Sequence, residues 1–143
     1  MAGRLYYAES SLRSAIDSSQ GPLRDWALCL GTRHCDGHVR EACVRQLMHA
    51  DHPWVLPFVV QLVGEYVVEI VQVVLDALPG VSATSYTAFV RDNPGFIATT
   101  RRRATSYWDC YYRRRYPALR DYPGVLALDF IERMSRQAPP RRP

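Results

Sequence analysis

At 143 residues, 48% of them hydrophobic and 22% charged, the chain has the size and makeup of a single globular domain with its own core. Its net charge of +4 rests on eighteen basic residues, all arginine, and is uneven: residues 1–90 hold six Arg against nine acids, residues 91–143 twelve against five. That asymmetry favours an anionic partner for the C-terminal part, and the opening "MAGRLYYAESSLRSAIDSSQ" lacks the basic-then-apolar layout of a secretion signal.

Residues 1–20, with Leu5, Tyr6, Leu12 and Ile16, read as a capping helix. Residues 21–50 follow as a helix pair, with Asp36 as the N-cap of its second member and Glu41 in the following turns. The next unit, residues 51–80, contains the most apolar run, Trp54 to Leu78. A spanning helix needs roughly 20 mostly apolar residues, but this run carries Glu65, Glu69 and Asp76 and is interrupted by Pro57 and Gly64. Glu65, Glu69, Gln72 and Asp76 recur at helical spacing. Val67, Ile70, Val71, Val74 and Leu78 occupy the other side, and Leu56, Val59, Val60 and Val63 form a separate apolar face upstream. The run therefore predicts two amphipathic helices meeting near Gly64, with no membrane span. Residues 81–116 read as a short helix over "SATSYTAFVRD" and a long one opened by Asn93 and Pro94. Ile97, Thr100, Ala104, Tyr107, Trp108 and Tyr111 form the long helix's inner face, and Pro117 ends it. A terminal helix over 117–136 buries Val125, Leu128, Phe130 and Ile131. Residues 137–143 form a solvated tail.

The first two pairs repeat each other. Shifting the sequence by 31 positions places Pro22 on Pro53 and "VREACVRQL" (39–47) on "IVQVVLDAL" (70–78), with apolar residues matched at Val39/Ile70, Ala42/Val73, Cys43/Val74, Val44/Leu75 and Leu47/Leu78. A helix–turn–helix period of this size is the signature of an α-solenoid. "DGHVREACVRQL" followed by "HPWVLPFVVQL" resembles the bacterial HEAT and HEAT-like repeats. Val39, Arg40, Glu41 and Ala42 match the pattern of that family's second helix, and Leu56 and Pro57 the pattern of its first. At Val71 the second copy departs from the family's arginine. The resemblance covers residues 21–80 and implies an all-α fold, a short right-handed solenoid of antiparallel helix pairs with about six or seven helices. It also implies a binding scaffold. The core expected from it comprises Trp26, Val39, Cys43, Leu47, Leu56, Val60, Ile70, Val74 and Leu78.

Two candidate faces emerge. In HEAT-like solenoids the second helices line the concave surface, so His34, His38, Glu41 and Arg45 would lie beside Glu65, Glu69, Gln72 and Asp76 as a protein-binding face. The segment "RRRATSYWDCYYRRRYP" interleaves Arg101, Arg102, Arg103, Arg113, Arg114 and Arg115 with aromatics including Tyr107 and Trp108, a composition suited to phosphates and stacked bases. Cys29, His34, Cys35, His38 and Cys43 have the chemistry of zinc ligands. However, Cys29 aligns with Val60 and Cys43 with Val74, which marks them as small core residues, and their spacing matches no standard zinc site. The four cysteines are expected reduced, in a cytoplasmic protein.

The resulting expectation is a non-catalytic protein-interaction module of a bacterial cytoplasm, binding another protein, with no cofactor, metal or membrane. The alternative is nucleic-acid binding through the Arg–aromatic helix of residues 94–116. Less favoured is a DNA glycosylase of the HEAT-like kind, for which Asp109 beside Trp108 is the sole carboxylate candidate. Neither a Gly-rich phosphate loop nor a nucleophile elbow is present.

Overall fold

A computed structural model describes residues 3–50 and 52–137. Most of the expected tail, residues 138–143, lies outside the described residues. Among the described residues the fold is all-helical, with eight helices instead of six or seven: α1 (Glu9–Ser18), α2 (Gly21–Gly31), α3 (Gly37–Leu47), α4 (Leu56–Val63), α5 (Val68–Ala77), α6 (Ala83–Asp92), α7 (Pro94–Tyr107) and α8 (Pro123–Gln137). Short 3₁₀ turns lead into α4 and α8 and close α5. The one extended pairing among the described residues is a bridge between Leu5 and His34.

Local chemistry sets most of the boundaries. Asp36 accepts a hydrogen bond from the His38 amide at 2.7 Å and caps α3. That bond also holds its carboxyl below the usual carboxylate range. Prolines stand in the first turn of α2, α4 and α7, where the missing amide costs nothing. Asn93 precedes α7, but its side chain does not cap that helix. Its amide donates to the Phe89 carbonyl at 3.0 Å and so satisfies the end of α6. The apolar run divides where expected, with α4 stopping at Gly64 and α5 beginning at Val68. No single helix among the described residues is long and apolar enough to cross a membrane.

The internal repeat has a structural counterpart. Gly37 and Val68, the first residues of α3 and α5, are 31 positions apart. α2 packs on α3, α4 on α5, and α3 on α5. α8 then packs along α5 and also touches α6 and α7, while α7 reaches α4 and α1 covers α2. One continuous core results, running from Leu12 and Ile16 through Val44, Val60, Ile70 and Val74 to Leu128 and Ile131.

Three expectations for inward-facing residues fail. The capping helix expected over residues 1–20 spans only Glu9–Ser18, which buries Leu12 and Ile16, while Leu5 precedes it in the bridge to His34 and Tyr6 is exposed. Trp26 is 51% exposed, because the buried face of α2 is Ala27, Leu28 and Gly31, one position further round the helix. Tyr111 is exposed although Ile97, Thr100 and Ala104 of the same stripe are buried. Residues Trp108–Tyr112 form a π-helical turn, which takes up an extra residue and rotates the inward position from 111 to 112. Tyr112 accordingly points inward. Its hydroxyl donates to the Tyr66 carbonyl, receives the Val68 amide at 3.3 Å, and its ring stacks on Tyr122.

Candidate functional site

Packing α3 on α5 brings parts of the two polar stripes together. Glu41 and Arg45 line a groove of about 280 Å³ with Glu69, Gln72 and Asp76, and Arg115 and Tyr116 join them. Most of the groove's polar groups engage one another: Arg45 pairs with Glu41 at 2.7 Å, Arg115 with Glu69 at 3.7 Å, and the neutral Gln72 amide donates to Asp76 at 2.7 Å. Exposed pairs of this kind contribute about 0–1 kcal/mol each, so a partner can displace them at small cost.

Three stripe members lie elsewhere. His38 is exposed but faces a different groove, against Glu9, Leu12 and Arg13 of α1. His34 is buried in the turn before α3. Its Nδ1 accepts from the Asp36 amide at 3.0 Å, so Nε2 carries the proton donated to the Tyr7 carbonyl at 2.9 Å. Glu65 departs furthest from expectation. The chain leaves helical geometry between Val63 and Val68, and the turn carries Glu65 into the interior. There Arg4 donates to Glu65 Oε2 at 2.7 Å, an interaction that raises the Arg4 guanidinium's affinity for its proton. Arg40 Nη2 lies 3.8 Å from the same oxygen, within ion-pair range but too far for a hydrogen bond. The Arg40 and Glu65 side chains are 1% and 4% exposed. Arg40 Nη1 donates to the His34 and Cys35 carbonyls, both at 2.9 Å.

More arginines gather around this pair. The Leu5–His34 bridge is held by Leu5 N to Arg33 O at 2.9 Å and Cys35 N to Leu5 O at 3.1 Å, which sets Arg33 beside the Arg4 segment. Arg33 also donates to the Gly3 carbonyl at 2.8 Å. From α7, Arg103 packs its Cβ against Gly64, where a methyl group on that glycine would lie 3.3 Å away. Burial, and then the neighbouring Arg4, draw the Arg33 guanidinium below its ordinary value, with Glu65 opposing. Arginine spacing along the chain carries no sign of this cluster, since residues 4, 33, 40 and 103 come from four separate segments.

The Arg–aromatic segment forms no single face. Arg101 is held by Asp129 at 2.9 Å and Glu132 at 3.1 Å, and Arg102 donates to Thr99 at 2.9 Å. Arg113 pairs with Asp109 and lies over Trp108, while Arg115 lies over Tyr116. Trp108 donates its indole N–H to the Tyr116 carbonyl at 2.8 Å. Arg114 is exposed, and Tyr107 lies 6.0 Å from Tyr66 and 6.3 Å from Tyr111. The carboxylate of Asp109, beside Trp108, is surface-exposed and paired with Arg113.

A feature unremarked in the sequence lies on α2. Leu23, Trp26 and Leu30 follow i, i+3, i+7 spacing and are 66%, 51% and 48% exposed. Trp26 stacks on Trp54 at 4.8 Å and meets Phe58 edge-on at 6.4 Å, and His52 stacks on the far side of this group at 5.3 Å from Trp54. The signal was available, because "PLRDWALCLG" is apolar on more than one side, which a helix with only one buried face does not need. Cys29 and Cys43 are buried without disulfides, while Cys35 and Cys110 are exposed. No three His, Cys, Asp or Glu side chains among the described residues converge as metal ligands would. Compared with known protein families, curated proteins and solved structures, the chain matches none.

Proposed function

We propose that the protein is a non-catalytic interaction module, a short HEAT-like stack of antiparallel helix pairs that binds another protein in a bacterial cytoplasm. The 31-residue spacing of α3 and α5 and the packing of α2 on α3, α4 on α5 and α3 on α5 support the stacked-pair reading. One observation carries the binding reading: the exposed Leu23–Trp26–Leu30 stripe backed by Trp54. Tryptophan-centred apolar patches rimmed by polar residues characterise the centres of protein interfaces. Arg24 and Asp25, held by Gln46 at 2.6 Å and His52 at 3.6 Å, supply such a rim. The partner is accordingly a protein presenting an apolar anchor, and the groove along α3 and α5 is a second, polar contact region.

The test is affinity capture with the native protein and with Leu23→Glu and Trp26→Ala variants, at low and high salt and after nuclease treatment. A partner retained at high salt and lost with both variants is the expected result, since an apolar-centred interface depends little on salt. Capture that is unchanged by both variants, or recovery of nuclease-sensitive material alone, overturns the proposal. Concentration-dependent self-association abolished by Trp26→Ala would identify the patch as a contact between copies and equally overturn it.

A further inference from the structure

We propose that the arginine cluster around Glu65, together with the adjoining tyrosine row, is a binding site for single-stranded nucleic acid, separate from the apolar stripe on α2. Charge is the first part of the case. Four arginines gather near one carboxylate: Arg4 and Arg40 engage Glu65 at 2.7 Å and 3.8 Å, Arg33 lies within electrostatic reach of Arg4, Arg40, Arg103 and Glu65, and Arg103 packs its Cβ at Gly64. Arg40 is buried and Arg4 is tied to Glu65, while Arg33 and Arg103 are partly exposed and carry charge that this carboxylate does not balance. Among the described residues no carboxylate forms an ion pair with Arg33 or Arg103, in contrast to Arg101, Arg113 and Arg115, each held by a carboxylate. Guanidinium groups are suited to phosphate oxygens by their planar, multiply donating shape.

The second part is aromatic. Tyr66 follows Glu65 directly and is 48% exposed. Arg103, Tyr107 and Tyr111 are spaced i, i+4, i+8, so the tyrosines continue along the helix from the point where the cluster ends. Tyr66 and Tyr107 are 6.0 Å apart, Tyr107 and Tyr111 are 6.3 Å apart at 24°, and Tyr111 is 69% exposed. The π-helical turn that rotates Tyr112 into the core also turns Tyr111 out to solvent. A backbone-neutralising group beside exposed ring faces is how single strands are held without regard to sequence. An inorganic phosphate or a protein carboxylate would use the arginines and leave the tyrosines idle.

The experiment is fluorescence anisotropy of the intact protein with labelled oligothymidylate and oligouridylate, with unlabelled inorganic polyphosphate as competitor. Two phosphates neutralised by Arg33 and Arg103 predict a slope of log K against log salt of about −1.4, and Arg33→Gln or Arg103→Gln should each reduce its magnitude by about 0.7. Tyr111→Ala should weaken oligonucleotide binding about fivefold or more, with Tyr111→Phe restoring it. Tyr111 is exposed, so the variant tests stacking without disturbing the core, and circular dichroism confirms that each variant is folded. Trp26→Ala should leave this binding unchanged, which separates it from protein binding on α2. Absence of oligonucleotide binding overturns the proposal. So does polyphosphate binding as tightly as an oligonucleotide of equal charge with Tyr111→Ala silent.

Discussion

Glu65 shows how much one turn can change a residue's role. Buried with Arg40 and tied to Arg4, it joins the N-terminal segment, α3 and the α4–α5 turn in one ionic contact. Removing one partner of a buried pair leaves the other uncompensated, at a cost of roughly 3–5 kcal/mol. Glu65→Gln should therefore destabilise the protein by about that amount in urea unfolding, and Arg4→Ala by less, because Arg40 and Glu65 then still face each other. Equal effects of the two substitutions would show that Arg40 adds nothing to the pair. The thiols lead to a pH prediction. Burial pushes Cys29 up to about 12 and Cys43 up to about 11 from an ordinary 9.0. The unfolded chain gives up these protons near pH 9 while the folded chain keeps them, so the native state binds more protons between about pH 9 and 11 for Cys43 and up to about 12 for Cys29. Their contribution is complete below that window and lost as pH rises through it, at no more than about 1.4 kcal/mol per pH unit for each thiol. Melting temperature should decline accordingly. Cys29→Val, which installs the side chain found at the equivalent Val60, should make the decline shallower.

At the scale of elements, close approach between helices sets the tolerance. α2 meets α3 at Gly31, where an added methyl group would lie 2.2 Å from Cys43 Sγ and 3.2 Å from Leu12. Gly31→Ala should cost roughly 1–3 kcal/mol through overpacking, despite alanine's better helix propensity, and a calorimetric scan reads the loss directly. α8 has a similar restriction at Gly124, where a methyl group would meet the Val63 carbonyl at 3.0 Å and Ala104 at 3.1 Å. Gly124 lets α8 lie close to both α4 and α7, so that the three helices share one interior. The π-helical turn after α7 has a comparable effect: it decides which tyrosine stacks on Tyr122 and which is left in solvent.

For the whole molecule, a continuous core means that a single buried charge should be felt throughout. Val74 is fully buried in α5, the helix that touches α3, α4 and α8. Val74→Asp places an unpaired carboxylate there at a cost of several kcal/mol, a large part of the 5–15 kcal/mol that holds a typical domain folded. The variant should lose most of its helical circular dichroism at room temperature. Persistence of a native-like spectrum would mean that the repeat units fold with little dependence on one another. The distribution of surface chemistry also belongs to this scale: an apolar stripe on α2, a polar groove between α3 and α5, and an arginine–tyrosine surface where the N-terminal segment, the α4–α5 turn and α7 meet.

Hydrophobic periodicity, prolines and the Asp36 cap were enough to determine the helical class, the division of the apolar run at Gly64 and most of the core, because those features act over three or four neighbouring residues. The 31-residue offset even matched Cys29 and Cys43 to valines that prove to be buried with them. Periodicity identifies apolar and polar positions but cannot show which apolar stripe finds a partner, so it places Trp26 in a core that Ala27 and Leu28 occupy. Nor can it show that a polar position leaves its helix, as Glu65 does, or that one extra residue in a turn exchanges the roles of Tyr111 and Tyr112. Tertiary structure alone decided these, together with the convergence of Arg4, Arg33, Arg40 and Arg103. Contacts between residues far apart in the chain depend on how helices pack, and no local spacing encodes that.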